Sequence, residues 1–231
     1  MIVRLLFVVL TCFSLRADDV MLSSRASQDV ALDTNPDSEF WREARLVETD
    51  HENNGKQFTG GAVVVRSRWT SANLYFLFQC PYDELYLKPN PATATETNEL
   101  WNWDVAEVFI GSDFENIRRY KEFEVSPQGE WVDLDIDLVK PHPEGGWTWN
   151  SGFSVAARID AKSRIWYAAM RIPLSAIDSR PPSEGNEFRI NLYVSEGPAS
   201  NHRSMAWRPT MKPNFHVPER FGVLRLAGSP N

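Results

Sequence analysis

The chain has 231 residues, with 42% hydrophobic and 24% charged residues and a formal net charge of −7. That length suits one large domain or two small ones, and the balance excludes a disordered or membrane-spanning chain. The acidic excess disfavours broad nucleic-acid binding, because phosphate backbones attract basic surfaces.

Met1-Ile2-Val3-Arg4 is a short basic start, residues 5–15 are apolar, and Leu15-Arg16-Ala17 resembles a small-residue cleavage site. This pattern predicts a secretory signal peptide over residues 1–17, cleaved near Ala17, so the mature chain is expected to be secreted or periplasmic. The apolar run is too short for a membrane span. Cleavage would remove Cys12 and leave Cys80, so no internal disulfide is expected.

Residues 37–44 suit one or two helical turns, with Asp37 or Ser38 as the cap. From residue 60 the pattern is two-residue alternation. Residues 62–69 and 74–80 read as a hairpin turning at Thr70-Ser71-Ala72-Asn73. Residues 105–110 are apolar at nearly every position and predict a strand buried on both faces. Residues 120–126 alternate and turn through Pro127-Gln128-Gly129-Glu130 into residues 131–138, where Val132, Leu134, Ile136 and Leu138 are expected to face the core and Asp133, Asp135 and Asp137 the solvent. Residues 153–159 and 166–172 read as another hairpin, followed by a helical turn at 173–177 and strands at 188–194 and 221–226. Many short strands argue an all-β fold, a two-sheet antiparallel β-sandwich of jelly-roll type with one or two short helical turns. With no repeat or composition break, residues 18–231 read as a single domain. Residues 85–102 and 197–218 form long polar or Pro-rich loops, where binding residues concentrate.

Nine Trp are more than one core usually needs. Trp101 and Trp103 flank the junction between a polar loop and a buried strand, so they either plug the fold or present a flat apolar plate. Such a plate suits the C–H face of a pyranose ring. Glu107 is the one charged residue in residues 105–110, and a buried carboxylate needs a partner. That partner is expected to be an arginine such as Arg171 or Arg189, or a ligand hydroxyl. Asp104 and Glu107 raise a glycosidase carboxylate pair, but three residues apart on a strand they point to opposite faces. Arg189, Asn191 and Tyr193 share one strand face and offer a polar wall or an ordinary solvated one.

His51, His142, His202 and His216 lack zinc-like spacing, whereas Asp33, Asp37 and Asp50 are hard oxygen donors suited to calcium. Haem held between a methionine and a histidine could draw on Met170, Met205, Met211, His202 and His216. No nucleophile elbow, phosphate-cradling loop or dinucleotide fingerprint is present.

In order, the segments resemble the family 9 carbohydrate-binding modules. Asp33 to Trp41 is similar to the opening Asp-x-x-x-Asp-x-x-x-Trp, and residues 68–76 to the first hairpin. Trp101 to Ile110 is similar to the Trp-x-x-Asp-x-x-Glu strand, the most specific piece. Phe123 to Gly129, Ile172-Pro173, Phe188 to Asn191, Ala206 to Pro209 and Phe221 to Leu226 follow in the expected order. The resemblance implies a non-catalytic saccharide-binding fold, often gripping a chain end between two aromatic side chains, with a role in carbohydrate catabolism. Trp101 matches the first stacking position, and Phe215 stands where the family has a second Trp. Glu107 and Asn191 match polar ligand contacts, and Glu124 replaces a basic one. The resemblance also implies structural calcium, with Asp33 and Asp37 as candidates, and a glycoside hydrolase as partner. The competing readings are a glycoside hydrolase, a haem electron carrier and an envelope domain with every aromatic ring buried.

Overall fold

The structure, a computed structural model, describes residues 19–230. The expected signal peptide and Cys12 lie outside the described residues, and Cys80 is a buried free thiol. No helix of the described residues is long and apolar enough to cross a membrane.

Twelve strands build the described residues. They are β1 (Val20–Arg25), β2 (Arg45–Thr49), β3 (Val63–Trp69), β4 (Asn73–Pro81), β5 (Val105–Gly111), β6 (Arg119–Val125), β7 (Trp131–Asp137), β8 (Ser154–Asp160), β9 (Ile165–Pro173), β10 (Glu187–Glu196), β11 (Arg203–Ala206) and β12 (Gly222–Ala227). Two single-turn helices, α1 (Glu39–Arg42) and α2 (Leu174–Ile177), complete the regular elements used below. Ser38 takes the N-cap position of α1, although its hydroxyl makes no capping bond.

The all-β expectation is met, but the strands form one continuous mixed sheet in the order β7-β6-β5-β10-β12-β1-β3-β4-β9-β8. One antiparallel arm runs from β7 to β12 and the other from β3 to β8. β1 joins them by pairing parallel with both β12 and β3. This strand was missed because Val-Met-Leu-Ser-Ser-Arg does not alternate. Its small residues suit a crowded seam, where Ser67 Oγ donates to Ser23 Oγ at 2.8 Å.

Both arms bury alternate residues in one apolar cluster. Phe76, Phe78, Trp166 and Met170 come from one arm, and Val108, Ile110, Phe123 and Leu192 from the other. The hairpin turn between β3 and β4 is held by Thr70, whose Oγ1 accepts the N–H groups of Ala72 and Asn73. At the β6–β7 turn, Gly129 adopts φ +84°, a conformation that a side chain would strain.

β7 keeps its aliphatic side buried and Asp135 exposed, as expected, but buries Asp133. Val132, Leu134 and Ile136 join a second apolar cluster on the opposite face of the arm, with Val105, Phe109, Tyr120 and Tyr193. Asp133 is buried on the other side, paired in register with Phe123 and accepting the Ser151 N–H at 2.6 Å. Alternation alone fixes the period, not which face meets which layer. The face so created carries the floor of the site.

Candidate functional site

A cleft of about 820 Å³ opens on that second face. Its floor is the β5–β6–β7 surface, represented by Glu107, Phe109, Glu122, Leu134 and Ile136. Its sides come from three loops carrying Trp101, Trp147, and Phe215 with His216. Trp101 follows Glu99, a non-glycine residue at φ 60°, on a 3-10 turn over Leu100–Asn102. Leu100 is fully buried and anchors that turn, which leaves Trp101 38% exposed. Trp101 and Phe215 therefore line one cleft, as the stacking reading requires.

Phe215 is held from behind. Its ring lies parallel to Tyr193 with centroids 4.3 Å apart and planes 2° apart. The Tyr193 hydroxyl donates to the Phe215 carbonyl at 3.1 Å. Asn191 is fully buried; its Nδ2 donates to the Arg208 carbonyl at 2.7 Å and its Oδ1 accepts the Arg208 N–H at 3.0 Å. Asn53, which was not anticipated, clamps the same loop by accepting the Thr210 N–H at 2.9 Å and donating to the Lys212 carbonyl at 2.8 Å. Arg189 donates to the carbonyls of Pro218 and Ile117 and lies against Phe221. Arg189, Asn191 and Tyr193 thus do not line the cleft. The loop that carries Phe215 covers this strand face, and the three side chains fasten it.

Glu107 is 1% exposed and accepts a hydrogen bond from Ser195 Oγ at 3.0 Å. The expected arginine is absent from its side: Arg171 donates to Ser154 and Arg189 to Pro218. Its neighbours are two further carboxyls. Glu124 is directly opposite on β6, and Glu122, two residues before it, shares that face. Burial pushes Glu107 well above the usual carboxylate range, and the Glu122 charge adds to the effect. Burial raises Glu122 to about 7 and holds Glu124 well above its ordinary value, the latter reinforced by Glu122 and Glu107. Glu122 was missed, although its alternation with Phe123 and Glu124 is legible in Tyr120-Lys121-Glu122-Phe123-Glu124. Trp147 was missed because it lies in a loop with no strand pattern.

These shifts predict a contribution to stability that is lost between mildly acidic and neutral pH. Below about pH 4.5 the three carboxyls are protonated whether the chain is folded or not. Between 4.5 and 7 the unfolded chain ionises first, so stability falls as pH rises through that window. His216, which burial lowers to about 4, acts oppositely as a single group. Urea unfolding at pH 4.5 and 7.5 should show a loss on the order of a few kcal/mol at the higher pH, which Glu124→Gln should reduce. Equal stability at both values, or no effect of the substitution, would contradict the placement of these charges.

Asp104 does not join the cleft. Its Oδ1 accepts the Gly197 N–H at 2.7 Å and its Oδ2 the Tyr86 N–H at 2.9 Å, tying two loops together. Asp33 caps a local turn by accepting the Asn35 N–H at 2.8 Å, while its carbonyl receives the Trp41 indole N–H at 2.7 Å. Among the described residues, Asp33 and Asp37 gather no third acidic or histidine ligand. Met170 and Met205 belong to the core, Met211 is exposed, and His216 pairs with the Tyr120 hydroxyl at 2.6 Å. His202 lines the cleft.

Comparison with known proteins settles the kinship of this geometry. The family model "Carbohydrate family 9 binding domain-like" matches residues 32–229. The chain belongs to that family. An extracellular protein of Arthroderma benhamiae is 23% identical over 169 residues, covering 68% of this chain and 75% of its own. A family 9 carbohydrate-binding module from Caldicellulosiruptor kristjanssonii, solved with cellotriose, superposes with a TM-score of 0.63 at 16% identity, covering 90% of this chain and 94% of that one. A Bacteroides uniformis protein proposed to bind carbohydrate gives a TM-score of 0.71 at 15% identity, covering 90% of this chain and 98% of that one. These two likenesses establish the fold.

Proposed function

We propose that this family 9 member is an extracytoplasmic, non-catalytic saccharide-binding protein that takes its ligand in the Trp101–Phe215 cleft. The observation that carries the reading is an exposed indole and a rigidly backed phenyl ring lining one cleft above a floor that sets two carboxyls among apolar side chains. Aromatic plates stack on sugar C–H faces, while buried polar groups fix the hydroxyls. The Caldicellulosiruptor module was solved with cellotriose and also with glucose, which makes gluco-oligosaccharides the first ligands to test. Glycoside hydrolysis is disfavoured because Asp104 is engaged elsewhere, and Glu107 and Glu122 lie side by side on one floor. A hydrolase flanks the scissile bond with two carboxyls. A glycoside hydrolase remains the partner that family membership suggests.

Calorimetric titration of the chain lacking residues 1–17 with cello-oligosaccharides and a wider glycan panel should give saturable heat. Tryptophan fluorescence should change at the same concentrations, and aryl glycosides should not be cleaved. A panel that produces neither heat nor fluorescence change would defeat the reading. Glycosidic turnover lost in Glu107→Gln would replace it with the hydrolase.

A further inference from the structure

Two buried carboxyls of the cleft floor, Glu107 and Glu122, have a third, Glu124, beside them, which is more than a sugar-facing polar patch requires. One oxygen from each of Glu107, Glu122 and Glu124 lies within 4.8 Å of the others. Both oxygens of Glu124, which is 0% exposed, and Oε2 of Glu122 have no donor among the described residues. Glu124 finds only the Glu122 carboxyl beside it, an acceptor facing an acceptor unless a proton is shared. None of the three is in an ion pair with a described lysine or arginine, and the cleft lining includes Glu99 and Glu144 but neither basic residue type.

We propose that Glu107, Glu122 and Glu124 form a binding site for a hard divalent cation, calcium foremost, at the base of the cleft. Protons would neutralise the charge but leave lone pairs without donors, whereas one cation satisfies all three carboxyls together. An all-oxygen set selects hard ions, and calcium–oxygen bonds of about 2.3–2.6 Å place two ligands on one ion up to about 5 Å apart. The paired strands β5 and β6 hold the donors in register. The Ser195 hydroxyl, already on Glu107, orients that carboxylate from β10. Glu107, Glu122 and Ser195 line the cleft, so an ion has an entry route and the positions the protein leaves open face the solvent. Calcium requires 6–8 oxygens, so water or a ligand hydroxyl completes the shell. The proposal does not depend on the saccharide reading.

The test uses chelator-treated chain without residues 1–17 and the metals alone. Calorimetry with calcium should find one site per chain at the floor, with magnesium weaker because it demands tighter geometry. Terbium bound there should luminesce on tryptophan excitation, since Trp101 and Trp147 line the same cleft. Glu124→Gln and, separately, Glu122→Gln should each weaken calcium at least tenfold and abolish the terbium signal. Both remove like-charge repulsion, so circular dichroism and melting should show folded proteins. Absence of calcium, manganese and magnesium binding up to millimolar concentration in the unsubstituted chain overturns the proposal. So does calcium binding that both glutamate substitutions leave intact, or that Asp33→Asn with Asp37→Asn removes instead.

Discussion

Trp101→Ala should lose saccharide binding by roughly 30-fold to 1,000-fold, the roughly 2–4 kcal/mol of an aromatic hot spot, with almost no change in melting temperature. The asymmetry follows from where the ring sits. Leu100 anchors the 3-10 turn in the apolar cluster, so the turn keeps its shape when the neighbouring indole is cut back. Trp101 itself is 38% exposed and contributes little burial in the free protein. The indole becomes covered only when a ligand ring lies on it, so its apolar surface acts in the complex and not in folding. Calorimetry and thermal melting on the same preparation separate the two quantities. A variant that melts several degrees lower and binds normally would make Trp101 a structural plug and remove the cleft from the argument.

Asn191→Ala should act the other way, destabilising the fold by about 2–4 kcal/mol and weakening binding as a consequence. Asn191 is fully buried and satisfies both the N–H and the carbonyl of Arg208, besides donating to the Tyr193 hydroxyl at 2.6 Å. Removing the amide strands those groups out of water's reach. The loop it fastens carries Phe215, so the loss is felt at the cleft wall although Asn191 does not line it. Asn191→Asp should be nearly as damaging, because a carboxylate cannot donate and resists burial. A urea midpoint within error of the unsubstituted protein would show that Asn53 alone secures the loop.

The strands β3, β4, β9 and β10 were legible from residue type, because one side of each meets a continuous core. β1, β2 and β11 were not. They are short, and their identity comes from the neighbours they pair with. The burial of Asp133 was missed for a related reason: this arm is covered on both sides there, with the core on one and the cleft floor on the other. Trp101 and Glu107 could be found because a large ring at a loop–strand junction and a lone charge in an apolar strand each violate a local rule, and Phe215 because it stands where the resembled family has a second Trp. Arg189, Asn191 and Tyr193 obey the alternation, and nothing in their spacing says that a distant Pro-rich segment will lie over them. The cluster of Glu107 with Glu122 and Glu124 needed the β5–β6 register, which residue pattern alone does not supply.

The parallel seam at β1 has a kinetic consequence. Val20 is in register with Val223, so the strand that unites the arms closes a loop spanning nearly the whole chain. The hairpins within each arm can zip locally, whereas the β5–β10 and β4–β9 pairings join distant segments, and the closure at β1, the longest, carries the largest entropic cost and should come late. Until β1 docks, β12 offers a row of unpaired backbone groups to any passing chain, whereas β3 is already covered by β4 on one side and by β2 over residues 63–67 on the other. Refolding should therefore be slow and concentration-sensitive, with self-association arising at the transient β12 edge and not at the finished surface.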